Sequence, residues 1–317
     1  MTRTHAEHEA GPSFEEALRA LRTDERNVAL PGLLATYVVL VGCVLTAAHL
    51  DTSWGYLAFA VPIGLLQYRV TLSGHEAVHR TLCFPGWLNE TLGVVGQALV
   101  GVNFASYRVQ HLDHHRATSM AADPDGHIYG TIVNTPRGWR RVVTWTLGTL
   151  VELVIKIGQK GIGSIGRAHA QASSVRTLGY SRFCSVLVVL TQSALLLGLW
   201  KLTGHPWAYA ALWIGPLFVV AVFLNRCRIL VEHGLALLLE VPPVARSIPT
   251  VDIVPPAWER LVFAPFLFNY HCSHHLFLTV PHYNLPRLRD LLKTHGVTGY
   301  HEVEGSYARA LARAMRA

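Results

Sequence analysis

The hydrophobic positions of this chain fall in long runs. Leu30–Leu50 stays apolar over the roughly 20 residues that a helix needs to cross a bilayer. A tight polar link, His49–Ser53, leads into a second run, Trp54–Val70, which contains Pro62. Far along the chain Phe183–Trp200 and Trp207–Leu224 form another pair, joined by the short Lys201–Pro206. Short links between paired runs predict two helical hairpins, with spans near residues 30–50, 54–70, 183–200 and 207–224. Two further apolar stretches are poor spans: Thr91–Phe104 is too short, and Val142–Ile157 carries Glu152 and Lys156. Both are expected as interfacial or re-entrant helices. In the polar segment 1–28, Ser13 and Glu16 have the form of a capping box, and Phe14, Leu18 and Leu21 share one helical face. An amphipathic helix is expected there, lying on the membrane surface or against the protein's own cytoplasmic part. Pro242, Pro243, Pro255 and Pro256 bracket a loop that cannot be one continuous helix. From Tyr307 the tail reads as a basic, alanine-rich helix docked at the surface. The expected fold is therefore an all-α integral membrane protein of one domain over 1–317, with four transmembrane helices as two hairpins, interfacial helices and a helical cap.

Composition agrees. Only 15% of the 317 residues are charged, against about 25% in soluble domains, and 51% are hydrophobic. The net charge of +7 would suit nucleic acid in a soluble protein. Here no basic cluster is interleaved with aromatics, so nucleic acid is excluded as a partner and the basic residues read as flanks of membrane spans. Four of the 27 Lys and Arg precede the first span, twelve lie from Arg69 to Arg182, ten from Arg226 onward, and only Lys201 falls in a far-side link. The positive-inside rule then puts both termini on the cytoplasmic side. The five cysteines are scattered, which argues against a disulfide framework and fits a reducing compartment. Cys272 reads as a small packed residue.

The candidate chemistry is in the histidines. His271, His274 and His275 stand at i, i+3 and i+4, one face of a helix. His111, His114 and His115 repeat the pattern, and His75 and His79 form a two-histidine version at i, i+4. Neutral imidazole is a common metal ligand. For the boxes to share a site, Thr91–Phe104 must not cross the membrane, since crossing would put the first two boxes on opposite faces. All three boxes then belong to the cytoplasmic cap. His233 in Arg228–His233 is a ninth candidate. Nine imidazoles exceed one tetrahedral zinc site and suit two metal ions; nitrogen-rich, carboxylate-poor coordination points to two irons and oxygen chemistry. Glu76, Asp113 and Glu232 neighbour these histidines and are candidates to accept ring N–H bonds, or else are solvated. The other nine histidines, among them His5, His8, His49 and His205, read as structural or solvated.

The order HxxxH, HxxHH, HxxHH resembles the membrane fatty acid desaturase family, and the likeness extends past the histidines. Tyr107–Thr118 with the trailing Asp123-Pro-Asp125 is similar to that family's second box. Arg228 through Glu232-His233 resembles its arginine-to-Glu-His segment. Asn269-Tyr-His through Pro281-His-Tyr-Asn-Leu-Pro286 resembles its third box and tail. The resemblance covers roughly Thr71–Leu292 and implies a diiron centre held by His75, His79, His111, His114, His115, His233, His271, His274 and His275, with O2 as co-substrate and no other catalytic side chain. Three departures stand out. Ser273 replaces an acidic residue that many members carry inside the third box. Ile229 stands where acyl-CoA desaturases place an asparagine near one metal. There is no HPGG segment, hence no fused cytochrome b5. The third box opens with His271 rather than glutamine, which argues against the front-end desaturases.

The resemblance implies an oxidoreductase that desaturates a fatty acyl or lipid chain in the membrane, with electrons from an external donor such as ferredoxin or a reductase. The alternative is a hydroxylase or ketolase on a carotenoid, lipid or natural-product side chain. His75-Glu-Ala-Val-His79 also fits a zinc-protease HExxH with Glu76 as base, but that leaves six box histidines unexplained. A metal transporter or sensor would need ionisable residues along its spans, which hold almost none apart from Arg69 at an edge.

Overall fold

The computed structural model describes residues 13–148, 175–243 and 247–316. His5, His8 and the Val142–Ile157 stretch beyond residue 148 lie outside them. The described chain is mostly helical. Its order is α1 (Phe14–Arg22), α2 (Ala29–Leu50), α3 (Ser53–Val78), α4 (Gly86–Leu99), α5 (Phe104–Arg116), α6 (Gly126–Val133), α7 (Val175–Thr203), α8 (Ala210–Leu238), β1 (Asp252–Val254), α9 (Ala257–Phe263), α10 (His271–Leu276), α11 (Leu285–Thr294), β2 (Glu302–Glu304) and α12 (Tyr307–Arg316). Residues 139–148 are also helical.

Three helices are long and apolar enough to cross a membrane: α2, α7 between Leu178 and Thr203, and α8. They expose apolar side chains as a lipid-facing surface does, with Val38 and Val219 more than two-thirds exposed. The fourth expected span is part of α3, which is not among these three. At 26 residues it is long enough, but it carries Gln67 and Arg69 and runs unbroken through Pro62 into the first histidine box. Gln67 has a structural task. It is fully buried and donates to the carbonyl of Trp213 at 3.0 Å. Trp213 sits in a π-helical turn of α8, Ala210–Ile214, where the regular i→i−4 pairing is lost.

The links after α2 and α7 meet. Tyr56 donates to Asp51 at 2.6 Å, His205 lies 3.6 Å from Asp51, and His205 stacks on Trp207. The opposite end of the molecule carries the boxes. Between the two ends lies α4. It is 14 residues long, about 21 Å of helix, short of the roughly 30 Å hydrocarbon core. Its last carbonyls, which no helix partner can reach, are taken by side chains of α7 and α8. Gln192 donates to Ala98 at 2.7 Å and to Leu99 at 2.9 Å, and the Trp213 indole donates to Leu99 at 3.0 Å. Gly101, at φ +73°, reverses the chain into α5.

The cap holds two departures from expectation. β1 and β2 form a parallel pair, Asp252 opposite Glu302, in what was expected to be plain loop. The C-terminal helix α12 is not a surface appendage. Tyr307, Ala310 and Ala314 are buried in the main core, and Arg141 donates to the Ala314 carbonyl at 2.6 Å. At the other terminus Ser13 and Glu16 do form a reciprocal capping box. Leu18 and Leu21 of α1 are buried with Leu285, Leu288 and Leu292 of α11, so this apolar face is turned to the protein itself.

Candidate metal centre

All nine histidines singled out from the sequence converge at the box end of the molecule. Ring nitrogens of His75, His79, His111, His115 and His274 lie within 4.8 Å of one another, and those of His114, His233, His271 and His275 form a second group by the same measure. The helices explain the split. On α5, Asn103 caps the first turn by accepting from Ser106, and the last turn then aims His111 and His115 at one group and His114 at the other. The short α10 divides its own three in the same way. Its first turn has no cap of its own; Asp252 of β1 accepts the Ser273 N–H at 3.0 Å and the Ser273 hydroxyl as well. The carboxylate expected inside this box is thus supplied from elsewhere in the chain. His233 lies in a π-helical turn of α8, Leu230–Gly234. Such single turns re-aim side chains and gather at functional sites.

The nitrogens are poorly served by the protein alone. Nε2 of His111 lies 2.8 Å from Nε2 of His79 and 2.9 Å from Nε2 of His115. Nε2 of His271 lies 2.9 Å from that of His233 and 3.1 Å from that of His275. One ring N–H can serve only one such contact. Nitrogens bound to one metal at about 2.1 Å stand about 3 Å apart, so these spacings suit a shared cation. Nε2 of His75 and of His274 are buried without a hydrogen-bond partner. Burial holds His111, His115, His271, His274 and His275 well below the ordinary histidine range, leaving neutral rings with lone pairs to offer.

Outer partners orient several rings. Nδ1 of His75 meets Glu76 at 2.9 Å, and because a carboxylate only accepts, the free lone pair is on Nε2. Nδ1 of His114 meets Asp123 at 2.8 Å, and Tyr129 donates to the same carboxylate at 2.6 Å. Nδ1 of His233 faces the Pro249 carbonyl at 3.3 Å, and its ring stacks on Tyr129. Glu232 is fully buried beside Arg228 and lies 3.6 Å from Nδ1 of His271. Of the three carboxylates expected to orient rings, Glu76 and Glu232 stand beside histidines. Asp113 is partly exposed and lies 3.6 Å from Arg116; Asp123, nine residues after His114, meets that ring. His282 was grouped with the structural histidines. It is buried 3.5 Å from Glu76, which also accepts from Thr81 at 2.9 Å. Glu76 is therefore committed to holding His75, which removes it as the free base of a zinc protease. Ile229 is buried in an apolar cluster with Ile128 and Tyr129. The signal for His282 was its place in the Pro281–Pro286 tail; the roles of Asp252 and Tyr129 depend on contacts that no spacing encodes.

Comparison with known proteins gives two findings. A family model described as fatty acid desaturase matches residues 51–302. The Delta(12) fatty acid dehydrogenase of Crepis alpina is 24% identical over 248 residues, 70% of this chain, and the chain spans 63% of that relative's length.

Proposed function

The chain belongs to the fatty acid desaturase family, and on that footing we propose that it is an O2-dependent, membrane-bound desaturase that places a double bond in a fatty acyl or lipid chain. The observation that carries this reading is the pair of imidazole clusters. His75, His79, His111, His115 and His274 would hold one iron, and His114, His233, His271 and His275 the other. Bound there, the irons supply O2 reduction and the removal of hydrogen from an unactivated C–H bond, which lies beyond side-chain acid–base chemistry. The overall reaction consumes the saturated pair of methylenes, O2, two electrons and two protons, and yields the alkene and two waters. The electrons come from an external donor, a ferredoxin or a reductase.

The chain's own residues hold and shield. Glu76, Asp123 and the Pro249 carbonyl fix ring orientation. Phe268 lies with its ring centroid 4.3 Å from that of His75, and Tyr107 stacks on His111 at 5.7 Å, so aromatic surface covers the ligands against bulk water. In this reading α2, the first part of α3, α7 and α8 cross the membrane as two hairpins. The termini and histidine boxes face the cytoplasm, as the distribution of Lys and Arg favours.

The test is expression in a desaturase-free bacterial host under air, with metal assay and acyl-chain profiling. The expected result is about two irons per chain and acyl species about 2 Da lighter. Iron with species about 16 Da heavier would move the assignment to a hydroxylase. One zinc and an unchanged lipid profile would sink it.

A further inference from the structure

The match to the family ends at residue 302, yet the chain continues into α12, whose first residue reaches Glu232, the neighbour of His233. We propose that Tyr307 is a positioning residue: its hydroxyl fixes Glu232, the carboxylate that stands 3.6 Å from Nδ1 of His271 as its acceptor once the ring binds metal. The inference rests on the metal reading above.

Tyr307 is fully buried and fixed from two directions. Its backbone N–H donates to Glu259 at 2.6 Å, and its ring stacks on Phe263 with centroids 5.0 Å apart and planes at 19°. The hydroxyl donates to Oε1 of Glu232 at 3.1 Å. Oε2 of Glu232 takes the Arg228 guanidinium and lies 3.6 Å from Nδ1 of His271, which has no hydrogen-bond partner of its own. A ligating imidazole is oriented by the acceptor at its other nitrogen, and losing that acceptor typically costs 10–100-fold in metal affinity. Two groups compete for this carboxylate. Arg228 also stacks over Phe268 at 4.0 Å, and Phe268 stacks on His271 at 5.1 Å. Without the tyrosine hydroxyl on Oε1, Glu232 is free to rotate onto Arg228 and leave Nδ1 of His271 unsupported. Packing alone needs only the ring; the buried hydroxyl is what a positioning role adds.

The experiment compares full-length wild type, Y307F, E232Q and Y307F/E232Q in detergent. Two quantities are read: iron retained during dialysis against a fixed chelator, and the melting temperature of the metal-free protein. The expected result is that Y307F melts close to wild type when metal-free but loses about half its iron roughly 10-fold faster, and that the double variant behaves like E232Q alone. Wild-type iron retention in Y307F, or additive effects in the double variant, would overturn the proposal. So would a Y307F protein with no folded metal-free state, since Tyr307 would then serve stability only. A wild-type protein that holds no iron would instead remove the metal reading on which this one stands.

Discussion

Ser273 and Asp252 illustrate what single residues contribute here. Asp252 is buried, and burial pushes its carboxyl up to about 7 despite the Ser273 bonds. The folded state thus binds this proton more tightly than the unfolded chain, where the ordinary value is 3.8. Stability from this group is fully present below that value and is lost as pH rises through about 7. Asp252→Asn removes the ionisation, so its melting temperature relative to wild type should rise by roughly 5 °C between pH 5 and pH 8. A constant difference across that range would count against it. The split of the ligands makes a second prediction. His79→Ala should leave about one iron per chain in place of two, and His233→Ala likewise, because each touches a different cluster; metal analysis of the purified variants decides. The eight box histidines were legible because their spacing is a local helical property, whereas His233 was singled out only from the Arg228–His233 segment. Asp123, Asp252 and His282 were not recognised as supports, because a partner nine, twenty-one or two hundred and six residues away leaves no periodic trace.

Helices meet closely where side chains are small. A Cβ on Gly64 of α3 would stand 2.4 Å from Cβ of Val220 and 2.7 Å from the Pro216 carbonyl oxygen on α8. Neither backbone nor a β-branched stem can swing aside. Gly64→Ala should therefore part α3 from α8 at a cost of about 1–3 kcal/mol, measured as a lower melting temperature, and reduce activity by shifting the first box against His233. The capping box of α1 and the shortness of α4 followed from short-range pattern and length. The π turns of α8, at Ala210–Ile214, Leu217–Val222 and Leu230–Gly234, did not, since no local pattern marks them. The burial of α12 was missed for a related reason. Its inward stripe is Tyr307, Ala310 and Ala314, too small and too sparse to read as a core face beside so many arginines.

At the scale of the whole molecule the links after α2 and α7 come together at one end and the histidines at the other. This pairing supports a topology that labelling can check. A cysteine placed at Lys201 should react with an impermeant maleimide added outside intact cells, and one placed at Asp290 only after the membrane is opened. The reverse pattern would invert the molecule. That the histidines gather at one end was legible in the sequence, since three boxes must lie together to share a site. The expected second span, in the first part of α3, is not among the three helices apolar enough to cross a membrane, because Gln67, Arg69 and the box at its end dilute its hydrophobic character.

Each of the two nitrogen clusters draws on the third box: His274 serves one, His271 and His275 the other. A growing chain with the first two boxes already made can bring neither nitrogen cluster together until α10 has been synthesised. On the proposed metal reading, loading therefore waits for the third box. It would report that α3, α5, α8 and α10 have all arrived, and a copy lacking the single short helix α10 would complete neither cluster.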